Sequence, residues 1–267
     1  TGIGLEEDAY DGMSEDTHGS GQGNGLAPAL WALILTCLII LMQRRGHGIC
    51  WKSALSGLRV CLACFSYVDD TDLAVTAQHT GARGEDLIIP GQKALDDWAS
   101  YLGATGGELE PAKTFVYLLD YILNEKTGRH RYRTKEEMPA EFTILDNEGN
   151  RHEIQRYEPW IGKETLGVHL AMDDNAEAQY ESLLHSASTF ATQIYGAEVD
   201  NNTAFYCLQS SFMKTIEYCL PVTHLTVRQW DKIMSKALSG ALPKCGYSRS
   251  IPLALRYGAL RHGGVGI

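Results

Sequence analysis

Tyr67-Val68-Asp69-Asp70 is the stretch on which the reading of this chain turns. It follows an apolar run, Val60-Cys61-Leu62-Ala63-Cys64-Phe65, and precedes a shorter one, Leu73-Ala74-Val75-Thr76. Strand-forming residues on both sides of a short polar centre predict a β-hairpin over 58–76. Two adjacent carboxylates then sit at its tip. Like charges this close disfavour each other's ionised form, and a bound cation relieves that cost. Mg²⁺ is the natural candidate, because it is a hard ion held by one or two carboxylates together with substrate phosphates. Asp is also an ordinary turn residue that hydrogen-bonds its own backbone. The pair alone therefore leaves a solvated turn and a metal site both open.

Working outward, an almost wholly apolar segment spans Leu26 to Met42, with Pro28 near its start and Gln43-Arg44-Arg45 after it. Proline suits a first helical turn, and basic residues suit a helix C-terminus. A core helix is the expectation. The segment also sits at the short limit for a membrane span, with Arg44 and Arg45 as a cytoplasmic flank. Leu87, Leu95, Trp98 and Leu102 recur near the helical period and predict an amphipathic helix over 86–102. Strands are expected over 115–121 and 165–170, and a hairpin over 142–154 with Asp146-Asn147-Glu148-Gly149 as its turn. The basic stretch 124–139 reads as a turn or an exposed insertion. Helices are expected over 175–195, 203–219 and 226–238, with Pro221 and Pro243 as stops. The domain reading is an acidic, Gly-rich loop over 1–25, a mixed unit over 26–172 and a helical unit over 173–267.

The chain has 267 residues, 44% of them hydrophobic, which is enough for a substantial core. Its formal net charge of −10 argues against capture of nucleic acid over the whole surface. A nucleic-acid enzyme would need a local basic lining, or a basic segment outside this chain. Seven cysteines do not read as a disulfide framework, so a reducing, intracellular setting is expected, cytoplasmic or nuclear rather than secreted. Cys61 and Cys64 form a CxxC, but residues three apart on one strand face opposite ways. Shared ligation of a metal is not expected of them. The chain begins at Thr1 with no signal peptide, as a piece of a longer protein would.

The order of the motifs goes further than any one of them. A loop, Gly19-Ser20-Gly21-Gln22-Gly23-Asn24-Gly25, leads into Ala27-Pro28 and the apolar helix. The Tyr-Val-Asp-Asp hairpin follows. Next come a helix, Thr105-Gly106-Gly107-Glu108-Leu109-Glu110-Pro111-Ala112-Lys113, and then Leu166-Gly167-Val168 before the helices. This order resembles the reverse transcriptases, the RNA-directed DNA polymerases, and most of all those of retroelement origin. The resemblance runs from about Gly19 to Leu170 and on toward the C-terminus. It implies an α+β fold: an incomplete right-hand polymerase palm, with an antiparallel sheet and packed helices, followed by a mainly helical thumb-like region.

The resemblance also assigns roles. Asp69 would hold the catalytic Mg²⁺ ions of a two-metal site, with Asp70 beside it, and Tyr67 would lie near the primer terminus. Gln22 and Gly23 would contact the template and the incoming nucleotide. Lys113 would lie near the triphosphate, and Leu166 and Gly167 would grip the primer. The partners implied are an RNA template, a DNA primer and dNTPs. The basic residues Arg228, Lys232, Lys236, Lys244, Arg249, Arg256 and Arg261 agree with phosphate contacts by the helical region. One departure is plain. The family uses an earlier Asp on a neighbouring strand, and Asp8, Asp11 and Asp16 lie in sequence with no strand pattern. The expectation is a polymerase fragment that is inactive without an upstream segment of the same longer protein. A non-catalytic remnant that binds nucleic acid or protein, and a membrane-anchored protein held by 26–42, are the alternatives.

Overall fold

The computed structural model of the chain describes residues 26–68, 70–77, 79, 81–146 and 148–266. The fold is α+β, and it divides into two compact units, one ending at Glu158 and the other beginning at Pro159.

The first unit opens with helix α1, Ala27–Arg44. Two antiparallel hairpins follow, β1 (Ile49–Lys52) with β2 (Arg59–Leu62) and β3 (Cys64–Tyr67) with β4 (Asp70–Leu73). The apolar run that predicts one long hairpin is thus shared between two. Ala63 is the pivot: it is buried between β2 and β3, and its carbonyl accepts from Ala74 N at 2.9 Å. Gly48 (φ +120°) lets the chain enter β1, since a Cβ there would lie 2.6 Å from the Leu62 carbonyl oxygen. Cys61 does not face Cys64 at all. It pairs in register with Cys50, and the two form a disulfide across the hairpin with Cα atoms 4.1 Å apart. The sequence signalled no such bridge, because pairing depends on which strand lies opposite.

Helix α2, Ile88–Gly103, packs between two clusters. One joins Leu38 and Met42 of α1 to Ala63, Ala94 and Trp98. The hydrogen bond between His47 and Asp97 (2.7 Å) and the bond from Arg45 Nε to Tyr101 Oη (3.0 Å) hold the end of α1 to this helix. The other cluster lies on a three-stranded sheet. Here β5 (Phe115–Tyr117) runs parallel to β9 (Arg151–Tyr157), which pairs antiparallel with β8 (Phe142–Leu145). Phe142, Ile144 and Ile154 alternate along these strands and are buried, as a half-covered sheet requires. Gln92 clamps helix to sheet, donating to the Thr143 carbonyl (2.7 Å) and accepting from Thr143 N (2.9 Å). The basic stretch between β5 and β8 forms its own hairpin, β6 (Tyr121–Asn124) with β7 (Arg129–Tyr132). Arg133 anchors it through Asp120 at 2.9 Å and Glu85 at 2.7 Å.

The second unit begins with a short hairpin, β10 (Lys163–Thr165) and β11 (Val168–Leu170). The boundary therefore precedes these strands rather than following them near 172. Val168 is buried in the helical core and Leu170 packs against it, which is why the strands belong with the helices. Helix α3 (Glu177–Gly196) crosses α6 (Val227–Lys244). Between them, α4 (Asn201–Cys207), a π-helical turn Leu208–Phe212 and α5 (Met213–Cys219) form one continuous rod. Short helix α7, Leu253–Arg256, follows. Asp200 caps α4, accepting from Asn202 N and Thr203 N, and Thr226 with Gln229 forms a capping box on α6. Pro243 stands in the last turn of α6 rather than stopping it.

Helix α1 departs most from expectation. Only Leu38 and Met42 are buried, while Leu26, Leu30, Leu33, Ile34, Ile40 and Leu41 are exposed. It is not a core helix but a helix with one buried seam. It is also the one helix among the described residues long and apolar enough to cross a membrane by length and composition.

Candidate active site

The β3–β4 hairpin pairs Tyr67 with Asp70 and Phe65 with Asp72. Side chains alternate across a strand, so these four share one face, and all four residues are exposed. Phe65 and Tyr67 keep 63% and 66% of their surface in solvent, an unusual setting for two aromatic rings. The opposite face carries Ser66 and Thr71, whose hydroxyls bond each other at 2.7 Å, and Ser66 Oγ also donates to the Asp70 carbonyl at 3.0 Å. Leu73 leads this face into the cluster beneath α1 and α2.

Val68 turns the chain with φ +56°. A β-branched residue adopts this left-handed conformation at a cost of about 1–3 kcal/mol. Its carbonyl accepts the indole N–H of Trp31 from α1, so helix and turn hold each other.

Asp70 and Asp72 are two residues apart on the same strand face. Burial pushes the Asp72 carboxyl above the usual range, and the neighbouring Asp70 charge adds to the rise. Asp72 still exposes much of its surface, and solvent screening limits the effect. Asp72 lies outside the Tyr-Val-Asp-Asp motif. Its signal was present as the Asp-Thr-Asp spacing, which places two carboxylates on one side of any strand. Hard oxygen donors that repel each other are the donor set a divalent cation such as Mg²⁺ takes, so Asp70 and Asp72 fit the ion that the motif implies. Among the described residues, no group of three or more His, Cys, Asp or Glu could hold a metal.

Asp69, Gln22 and Gly23 lie outside the described residues. Lys113 is exposed in the turn before β5, and its backbone N–H donates to the Glu110 carbonyl at 3.1 Å. No hydrogen bond or ion pair joins it to Asp70 among the described residues. Leu166 and Gly167 belong to the second unit. They form the β10–β11 turn with φ +52° and +77°, and Tyr218 Oη donates to the Leu166 carbonyl at 2.6 Å. Gly167 borders a cleft of about 400 Å³ whose lining includes Gln179, Ser182, Ser186, Ser211, Thr215 and Lys214. Lys214 there is paired with Glu217 at 2.5 Å.

Six of the seven basic residues expected to meet phosphates divide into two groups. Arg228, Lys232 and Lys236 recur every fourth residue on the exposed face of α6, with no ion pair among the described residues. Lys244 Nζ instead donates to the Ala197 carbonyl at 2.7 Å, Arg249 lies over the Tyr195 ring at 5.6 Å, and Arg256 donates to the Arg249 carbonyl. These last three hold the fold together.

No protein-family model matches this sequence, and no curated protein sequence matches it.

Proposed function

We propose that this chain is the palm and thumb portion of an RNA-directed DNA polymerase of retroelement origin, acting on an RNA template, a DNA primer and dNTPs. The observation that carries the reading is the tight turn after Tyr67, with Asp70 and Asp72 on its exposed face. The motif order supports it. So do the Leu166–Gly167 turn beside a hydroxyl-lined cleft and the cationic stripe on α6, since hydroxyls and cations are the groups that contact sugar-phosphate backbones.

In this reading Asp69, Asp70 and Asp72 supply carboxylate oxygens for Mg²⁺. When bound, the ions stabilise the attacking and leaving oxygens of an in-line displacement. The chain's own residues position the reactants. Trp31 holds the turn through the Val68 carbonyl. Tyr67 offers an exposed ring beside the carboxylates for the primer terminus. Lys113 offsets charge at the triphosphate. Arg228, Lys232 and Lys236 contact phosphates.

Primer extension with RNA template, DNA primer, dNTPs and Mg²⁺ tests the reading. The isolated chain is expected to be inactive, and the chain joined to its natural upstream segment is expected to extend the primer. That activity should disappear in Asp69→Asn. Joined protein that binds template-primer without extending it would mark a non-catalytic remnant.

The exposed apolar surface of α1 favours a second reading, in which this helix associates with a membrane. Resistance to carbonate extraction from membranes would support it. Recovery in the soluble fraction would count against it.

A further inference from the structure

The second unit contains another cleft, of about 390 Å³, with a different chemistry. Its lining draws on one side of the α4 rod (Asn201, Asn202, Phe205, Tyr206 and Gln209) and on Tyr247, with Cys245 and Val265 as a buried floor. No Asp, Glu, Lys or Arg lines it. A charged group such as a phosphate finds no partner there. The lining instead combines three carboxamides with three aromatic rings.

The amides are partly fixed. Asn201 lies against Gly246 (φ +84°), where a Cβ would come within 2.7 Å of Asn201 Nδ2. Gln209, which also lines the cleft, donates from Nε2 to the Gly266 carbonyl at 3.4 Å and keeps Oε1 as an acceptor. The Asn202 side chain makes no hydrogen bond among the described residues, so both its donor and its acceptor are open. Tyr206 is 70% exposed at the mouth, with its ring open to stacking.

We infer that this cleft binds a nucleobase. A carboxamide presents a donor and an acceptor side by side, which matches the paired donor and acceptor on a base edge. Aromatic side chains supply the stacking surface that holds unpaired bases. A neutral lining selects the ring over the phosphate. The volume admits a base with its ribose, with the phosphates left in solvent. The inference rests on residues of this unit alone and stands or falls independently of the polymerase reading.

The test is a titration of the full chain with adenosine, guanosine, cytidine and uridine in turn, followed by the side-chain amide NMR signals of Asn202 and Gln209. Saturable shifts with at least one nucleoside are expected below about 5 mM. Asn202→Ala and Tyr206→Ala are each expected to weaken that binding about tenfold, by loss of one hydrogen-bonded edge or one stacking ring. Both side chains lie at the surface, so the folded state survives, as circular dichroism would verify. Three results would overturn the inference: no saturation with any nucleoside, equal binding of ribose or glucose, or unchanged binding by both variants.

Discussion

The indole N–H of Trp31 is bonded to the carbonyl of Val68, so the exposed helix α1 reaches the left-handed residue at the tip of the carboxylate hairpin. The tip is therefore held from outside its own two strands. This explains how a β-branched residue persists at φ +56°: the surrounding contacts over-determine a conformation that valine alone disfavours.

Val68→Asn follows as a stabilising change. Asn tolerates the left-handed region far better than Val, and the backbone carbonyl that Trp31 uses remains. A gain of about 1 kcal/mol in urea unfolding is expected, with the denaturant slope unchanged. A loss of stability would show that the valine side chain contributes packing that outweighs its strain.

The cationic stripe on α6 has a salt signature. Each phosphate neutralised by a cation adds about 0.9 to the slope of log affinity against log salt on a duplex. Replacing Arg228, Lys232 and Lys236 together by alanine should lower the slope for an RNA–DNA duplex by about 3 and weaken binding at low salt. Replacing Lys244 and Arg249 should instead lower the melting temperature, because those side chains are tied to the fold. An unchanged slope in the triple variant would remove the stripe from the interface.

The crossing of α3 and α6 depends on Gly240. A Cβ there would stand 2.1 Å from the Ala191 carbonyl oxygen and 2.7 Å from its Cα. Backbone cannot yield as a flexible side chain does. Gly240→Ala should therefore destabilise the second unit by about 3 kcal/mol, the upper end for overpacking, read by chemical denaturation. Gly196→Ala meets nothing within 4 Å and serves as the control.

Asp146 makes the β8–β9 turn sensitive to acid. The side-chain bond with His152, then the amides of Asn150 and Glu148, hold its carboxyl at about 2, below the ordinary 3.8. A carboxyl depressed on folding stabilises the folded state above its unfolded value, and that contribution is lost as pH falls through its folded value. Asp146→Asn should thus be less stable than the parent at pH 5 to 6, with the difference closing between about pH 4 and pH 2. A gap independent of pH would mean that the turn depends on hydrogen-bond geometry rather than on charge.

Much of the local structure was legible in advance. The alternation around Phe142 and Ile154, the spacing of Leu95 and Trp98, and the apolar flanks of Val68 each carry the period of their own element, and period is a local property. Roles assigned to Gln22, Gly23 and Asp69 fall outside the described residues, and those of Lys113, Leu166 and Gly167 rest on motif order.

What the tertiary structure decided is which residue meets which. Cys61 sits opposite Cys50 because two hairpins share one apolar run. Asp70 and Asp72 lie opposite Tyr67 and Phe65 because the turn sets the register of β4. The strands over 163–170 pack with the helices because Val168 fills their core. Helix α1 keeps Leu30, Leu33 and Leu41 in solvent because only its seam of Leu35, Leu38 and Met42 packs against other elements. Amino-acid order specifies how each segment alternates, but burial and pairing are relations between distant segments, and they exist only once the chain has closed on itself.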